Sequence, residues 1–441
     1  MPKHEPETTA ITSGRDGSGS LSPALWTSTT WQSAGLDDSN KHALATHKSG
    51  NYARYGNPTV RAFEEAVAEL EGAQDALAFG SGMGAIASVV FALCSSGDHI
   101  VAHNQLYGGT VAFLNGPCKR MGIDVTFVDG SKPGALAAAV IKGRTMLVIA
   151  ETPSNPQMGL VDLAEVGAIK GPFTLIDSTL ATPLGQQPLS YGVSLVVHSA
   201  TKGIAGHNDA MLGVVAGEKE LIDAIWGYSV LHGATASPFD ALNGLRGIRT
   251  LGVRLTHQCA SALSIATALS QHPRVSAVHY PGLNSHPQHA LAASQMRQFG
   301  SLLSFEISGG KDAARKVVDG VRLVRPAVSL GQRGVSLICN PTASHFAFGK
   351  SQIRKKLAID GAEIINGVYL FANLLGNESG RVIFDGDAYI AQNGRIIAES
   401  NRFSFADSNL IYCAVDLQAI SSQADDIIES NTEVSETDQP V

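Results

Sequence analysis

The segment VRAFEEAVAELEG sets Phe63, Ala66, Val67 and Leu70 three and four residues apart, and Gly72 closes it, so an amphipathic helix is predicted here. Beyond it the period changes. Short apolar runs recur as DALAF, HIVA, DVTFV, TMLVIA, FTLID, SLVVH and MLGVVA, each followed by turn residues and most by a stretch able to form a helix. Near-continuous apolar strands separated by helices predict an α/β fold whose sheet is largely parallel and covered on both faces. Ligands of such sheets bind beyond the carboxyl ends of the strands, so chemistry is expected just after each run.

Composition narrows the function. Hydrophobic residues make up 44% of the 441 positions and charged ones 16%, which excludes a mostly disordered chain. Lysine plus arginine number 32 against 39 acidic residues, a net charge of −7, with no dense basic block. Nucleic acid and anionic membrane are therefore not expected as partners. No apolar run approaches the ~20 residues that a bilayer span needs. The N-terminus lacks an apolar leader, and the five scattered cysteines (Cys94, Cys118, Cys259, Cys339, Cys413) contain no CxxC pair. That usage fits neither a disulfide scaffold nor a zinc site, and a cytoplasmic protein is expected. Residues 1–20 are polar and read as a flexible arm, and 421–441 as a disordered acidic tail.

The strand ends carry a set of unusual groups. After DALAF comes GSGMGAIASVV, small residues opening a helix whose N-terminal N–H groups suit a phosphate. No Gly-Lys-Ser/Thr follows, and the spacing is not the dinucleotide fingerprint; alone, the segment fits a ligand-free tight turn equally well. Tyr107 follows HIVA beside two glycines, and Glu151 and Asn155 follow TMLVIA in ETPSNP. Asp177 ends FTLID, where a buried carboxylate needs a donor or a cation, although capping the next helix would also explain it. Lys202 follows SLVVH in a turn of small residues, close to the hydroxyls of Ser199 and Thr201. Most lysines are solvated surface charges, but one placed here is suited to forming a Schiff base. Each feature is ambiguous alone. In order along successive strand ends they match the needs of pyridoxal 5'-phosphate: a lysine for its aldehyde, an anion site for its phosphate, a carboxylate for its ring nitrogen and an aromatic face.

The motifs YARYGNPT, GSGMGAI, LYGGT, ETPSNP, DSTLATP, VVHSATKGIAGHND, SPFDALNGLRGIRTL, YPGLNSHPQH, FGSLLSFEISGG and AVSLG make the chain resemble the cystathionine γ-synthase/γ-lyase family of Cys/Met metabolism from about residue 20 to residue 331. The resemblance implies the fold of the pyridoxal-phosphate transferases (fold type I) over a catalytic domain 21–331. Lys202 would carry the cofactor and shuttle protons, and Asp177 would face the ring nitrogen. Asn155 would bond the ring oxygen, and Tyr107 would stack on the ring and assist the transfers. Gly82 and Met83 amides with the Ser199 and Thr201 hydroxyls would hold the phosphate. Tyr52 and Arg54 would reach the phosphate of a neighbouring subunit, in a homodimer or homotetramer with shared sites. Ser329 would lie near the carboxylate of an amino-acid substrate. No metal is implied. The expected reaction is γ-replacement or γ-elimination on cystathionine or an O-acylhomoserine. Two positions depart from the family: the residue after the lysine, usually aromatic, is Gly203, and Gly109 stands where methionine γ-lyases carry cysteine, which argues against that member.

After Gly331 these motifs stop, and the family's R-x-S-V-G arginine does not appear; Arg402 in NRFSF matches only its first letters. Residues 332–420, with GVSLICNPTASHFAFGKSQIRKKLA and GVYLFANLLGNESGRVIFDGDAYIAQNGRIIAES, are instead similar to part of the glutaminase (nitrilase-like) domain of glutamine-dependent NAD⁺ synthetases. A fusion joined near residue 332 is expected, its second part β-rich and lacking that domain's catalytic residues; Cys339 is expected to be a small hydrophobe rather than a nucleophile. Two other function classes stay open from sequence: a glutamine amidohydrolase or NAD⁺-synthesis component, and a non-catalytic cofactor-binding chimera.

Overall fold

The computed structural model describes residues 5–15, 20–33, 35, 37, 51–320, 337–342, 350–364, 368–373, 375–378, 382–385, 387–392, 395–400, 402–403, 411 and 413. The chain divides into two compact units, Met1–Gly331 and Gln332–Val441.

In the first unit the apolar runs form seven strands: β1 (Asp75–Phe79), β2 (His99–His103), β3 (Asp124–Val128), β4 (Thr145–Glu151), β5 (Phe173–Asp177), β6 (Leu195–His198) and β7 (Gly213–Gly217). They form one sheet in the order β1-β7-β6-β5-β4-β2-β3. The pairs β2–β3, β2–β4, β4–β5 and β5–β6 are parallel. Strand β7 runs antiparallel to both β1 and β6, so the sheet is largely rather than wholly parallel. Its two faces carry separate cores. One packs Val196, Val214 and Ala216 with Phe63 and Val67, and with Leu245, Ile248 and Leu251 of the 33-residue helix Pro238–Ser270. The other packs Leu175, Val197 and Val215 with Val89 and Ile225.

The amphipathic helix predicted at residues 60–72 spans Pro58–Glu71, with the Asn57 side chain accepting from the Thr59 and Val60 amides at its start and Gly72 left-handed at its end. The N-terminal arm differs from expectation. Pro6–Thr12 is helical and Ala10 is buried in the first core, so residues 1–20 are not a free arm throughout. The apolar face of this helix is short, and its polar neighbours hide it in the sequence. Packing against helix Pro238–Ser270 supplies what local pattern lacks. Strands β8 (Val275–His279) and β9 (Ser304–Ile307) pair antiparallel after that long helix, and helix Gly310–Gly320 follows.

The second unit contains β10 (Leu337–Thr342), β11 (Val368–Asn373), β12 (Leu375–Glu378), β13 (Val382–Asp385), β14 (Ala388–Gln392) and β15 (Arg395–Glu399). Strand β10 pairs parallel with β11, β11 antiparallel with β14, and β14 antiparallel with β15. Strands β12 and β13 make a separate antiparallel pair. Tyr369, Phe371, Tyr389 and Ala391 pack on Ala358 and Ala362 of helix Lys350–Ile364, so one face of this sheet is covered from within the unit. Arg402 does not imitate a substrate-binding arginine here: with Arg354 it holds the buried Asp387, at 3.1 and 3.0 Å. The tail 421–441 lies outside the described residues. Among the described residues no helix is long and apolar enough to cross a membrane.

Candidate active site

The carboxyl ends of β1, β2, β4, β5 and β6 lead to one cavity of about 240 Å³. Gly82, Met83, Tyr107, Asn155, Asp177, Ser199, Thr201 and Lys202 all line it, so residues predicted from five separate strand ends are brought together. Lys202 and Asp177 thus line the same cavity.

Asp177 sits in register with Glu151 on β4, and both residues line the cavity. Asp177 Oδ1 accepts from the Thr179 amide at 3.0 Å and from the Thr179 hydroxyl. Burial pushes its carboxyl up, while the Thr179 bonds pull the other way. Among the described residues it forms no ion pair with a lysine or arginine. A buried carboxylate without a cation fits a ligand that brings one, and a protonated pyridine nitrogen is such a cation. Glu151 Oε2 accepts from the Tyr107 amide at 2.6 Å, and burial, then Asp177, raise its carboxyl well above the ordinary range. Two buried carboxyls side by side do not both ionise readily, so each makes the other hold its proton more tightly.

Helix Gly82–Leu93 starts at the cavity, with the Ser81 hydroxyl capping the Gly84 amide at 3.0 Å. A Cβ at position 82 would lie 2.8 Å from Ser199 Cβ, so glycine here lets the helix N-terminus and the Ser199 turn approach closely. That cradle of first-turn amides and hydroxyls suits a phosphate. The Thr201 hydroxyl is already engaged with Leu212, donating to its carbonyl at 3.2 Å and accepting from its amide at 2.8 Å. Ser199 is tied through its amide to the Thr179 hydroxyl at 2.8 Å, which links the Ser199 turn to the strand end bearing Asp177.

Burial lowers the Lys202 ammonium from its ordinary value, favouring the neutral amine that condenses with an aldehyde. At Gly203, where the family usually has an aromatic residue, a Cβ would lie 2.8 Å from the Thr182 methyl: the space is taken. Tyr107 precedes helix Gly108–Phe113 and is 41% exposed.

Tyr52 and Arg54 are not brought to this cavity. Arg54 donates to the Val230 carbonyl and lies over the rings of Tyr52 and Tyr55, at 5.5 and 5.0 Å. Ser329 lies outside the described residues. Sequence reasoning missed Thr179 as the partner of Asp177, although a hydroxyl two residues after an aspartate was a readable signal. It also missed Arg254, which donates to the Gly203, Ile204 and Gly247 carbonyls at 2.9, 3.1 and 2.8 Å and so holds the turn after Lys202. Nothing local marks an arginine within a 33-residue helix for that role.

Comparison with known proteins agrees with this geometry. A profile of the Cys/Met metabolism PLP-dependent enzymes matches residues 7–364, running past residue 331 where the motifs stop. An O-succinylhomoserine sulfhydrylase of Pseudomonas aeruginosa is 40% identical over 344 residues, 77% of this chain and 85% of the relative. An L-methionine gamma-lyase of Treponema denticola is 37% identical, covering 74% of this chain and 82% of the relative. The solved structure of cystathionine gamma synthase from Xanthomonas oryzae pv. oryzae, in complex with aminoacrylate and cysteine, superposes with a TM-score of 0.68 at 37% identity, covering 73% of this chain and 83% of that one. No such support falls on a nitrilase-like reading of residues 332–420. With lysine, carboxylate and phosphate cradle around one cavity and a family match over most of its length, the chain belongs to the pyridoxal-phosphate-dependent enzymes of Cys/Met metabolism.

Proposed function

We propose that the chain catalyses γ-replacement or γ-elimination on cystathionine or an O-acylhomoserine. The observation that carries this reading is the convergence of Lys202 and Asp177 on one cavity. Pyridoxal phosphate, when bound, supplies an electron sink for the charge left when a proton leaves the carbon bearing the substrate amine. Lys202, its neutral form favoured by burial, takes and returns that proton. Asp177 holds the ring nitrogen in its protonated state, and Asn155 bonds the ring oxygen. The Gly82 and Met83 amides, with Ser199 and Thr201, bind the phosphate; the Thr201 hydroxyl turns from Leu212 to do so. Tyr107 covers the ring and assists proton movement. Tyr52 and Arg54, engaged away from their own cavity, serve a second subunit in a homodimer or homotetramer, and Ser329 lies near the substrate carboxylate. The protein works in the cytoplasm.

Purified protein is expected to be yellow, with an absorbance that shifts on adding amino acid and is fixed by borohydride. Lys202→Ala abolishes that signature; colour that persists in the variant assigns the lysine role elsewhere. Incubation with cystathionine, acetylhomoserine, succinylhomoserine and methionine, following keto acid and thioether together, reads the reaction. A yellow protein that turns over none of them overturns the activity while leaving cofactor binding intact.

For residues 332–420 we infer a nitrilase-like fragment joined near residue 332 and without amidohydrolase chemistry. Its support is the wording of its motifs and the use of its buried polar residues, Arg354 and Asp387, on each other. Ammonia release from glutamine by the full chain above the blank rate refutes the second part of that inference.

A further inference from the structure

The motif YPGLNSHPQH and the helix that its last residue opens, His289–Gln295, contribute no residue to the lining of the cavity, yet their polar side chains reach the loop that does. Gln288 makes two hydrogen bonds to one residue of that loop. Its Oε1 accepts from the Leu160 amide at 2.7 Å, and its Nε2 donates to the Leu160 carbonyl at 2.6 Å. Two turns further along, Gln295 repeats the pattern: Oε1 accepts from the Leu163 amide at 3.3 Å and Nε2 donates to the Val161 carbonyl at 3.1 Å. Gln295 Nε2 also approaches Gln186 Oε1 at 3.4 Å, and Gln186 donates to the Thr152 carbonyl at 3.1 Å and the Ser178 hydroxyl at 3.3 Å. Thr152 and Ser178 are the residues directly after Glu151 and Asp177.

The loop itself is short of regular structure. Ser154 and Gly159 close it, with the Ser154 amide donating to the Gly159 carbonyl at 2.8 Å, and Asn155 lies between them. Leu160 is fully buried, so its amide and carbonyl have no water to turn to if Gln288 is removed. His286 adds a third hold: its ring accepts from the Gln288 amide at 3.2 Å and hydrogen-bonds the Met158 backbone. Burial lowers its pKa, in keeping with a neutral ring that accepts at one nitrogen.

We propose that Gln288 is a positioning residue of the cofactor site: with His286 and Gln295 it clamps the segment 152–163 and so sets where Asn155 stands. Side-chain amides that bond a backbone N–H and C=O at once act as a strand would, giving an irregular segment the partners that a sheet edge normally supplies. The assignment rests on the proposed cofactor role of Asn155, but the clamp itself exists without cofactor.

The test uses the full chain and two variants, Gln288→Ala and Gln288→Met, the second keeping side-chain bulk while removing both bonds. Hydrogen–deuterium exchange in the cofactor-free protein is followed over residues 153–162, with β4 residues 145–150 as internal reference. Loss of two hydrogen bonds to a buried residue is expected to speed exchange of the loop roughly 5- to 30-fold, with the reference unchanged. In the same variants the affinity for pyridoxal phosphate falls by a similar factor or less, and the visible circular dichroism of the bound cofactor changes. Unchanged loop exchange in Gln288→Met overturns the clamp. Faster exchange with unaltered cofactor affinity and dichroism overturns its link to the site. Failure of the wild-type chain to bind pyridoxal phosphate sinks the proposed function instead, and the exchange data still decide the clamp.

Discussion

Replacing Asp177 by asparagine separates what this residue does for the fold from what it does for the cofactor. The residue is 8% exposed, and burial disfavours the charged form of its side chain. In the cofactor-free protein its carboxyl is thus raised above the ordinary value of 3.8. A carboxyl raised by folding binds its proton more tightly in the native state, so its contribution turns unfavourable as pH rises from the unfolded value through the raised one. Asparagine carries no charge and still accepts from the Thr179 amide. At pH 7 the cofactor-free variant is therefore expected to melt at the same temperature as wild type or higher, and the advantage disappears in acid. With pyridoxal phosphate present the sign reverses. The bound ring nitrogen loses its counter-charge in a buried site, and removing one partner of such a pair costs about 3–5 kcal/mol. Because a ligand stabilises the native state in proportion to its differential binding, the cofactor-induced rise in melting temperature shrinks accordingly. The assay is thermal unfolding with and without cofactor, for both proteins. An equal cofactor-induced rise in both would refute the pairing, and a cofactor-free variant melting well below wild type would make the carboxylate structural.

Three further outcomes follow from the same structure. Burial pushes the Glu64 carboxyl up to about 7 against the attraction of Arg61, so this group's contribution to stability falls by up to ~3 kcal/mol between its ordinary value of 4.5 and pH 7; in Glu64→Gln, whose side-chain oxygen still accepts from the Ala78 amide, denaturant titrations should show stability relative to wild type rising by that amount across the range, and a constant difference would refute the shift. Gly109→Ala places a Cβ 2.5 Å from Tyr107 Cε1, which displaces the exposed ring; the visible spectrum of bound cofactor should change while the cofactor-free melting temperature moves little, and an unchanged spectrum would free Tyr107 from its stacking role. Phe63→Ala empties a fully buried site beneath the sheet and is expected to cost about 3–5 kcal/mol by urea denaturation; a loss under about 1 kcal/mol would mean that the core closes over the gap.

Much of the first unit was legible because its signals are local. Each of the seven strands of the large sheet was a short apolar run, the helix at residues 58–71 showed its period, and the groups lining the cavity stand at a strand end or just beyond one; β8 and β9 were not read from the sequence. The antiparallel run of β7 was not legible, since an apolar run reads alike in either direction. Nor was the helix Pro6–Thr12, whose burial comes from a distant partner.

By itself the sequence determined the α/β class, the order of strand ends and the identity of the groups suited to a cofactor, because these depend on hydrophobic period and residue chemistry along the chain. Only the tertiary structure decided which of those groups share a cavity. It placed Tyr52 and Arg54 elsewhere, paired Thr179 with Asp177, and enlisted Arg254 and Gln288 from distant segments to hold the turns around the site. The physical reason is that a hydrogen bond to a backbone carbonyl or amide needs only a donor or acceptor at the right distance. No spacing in the chain records where such a partner will come from.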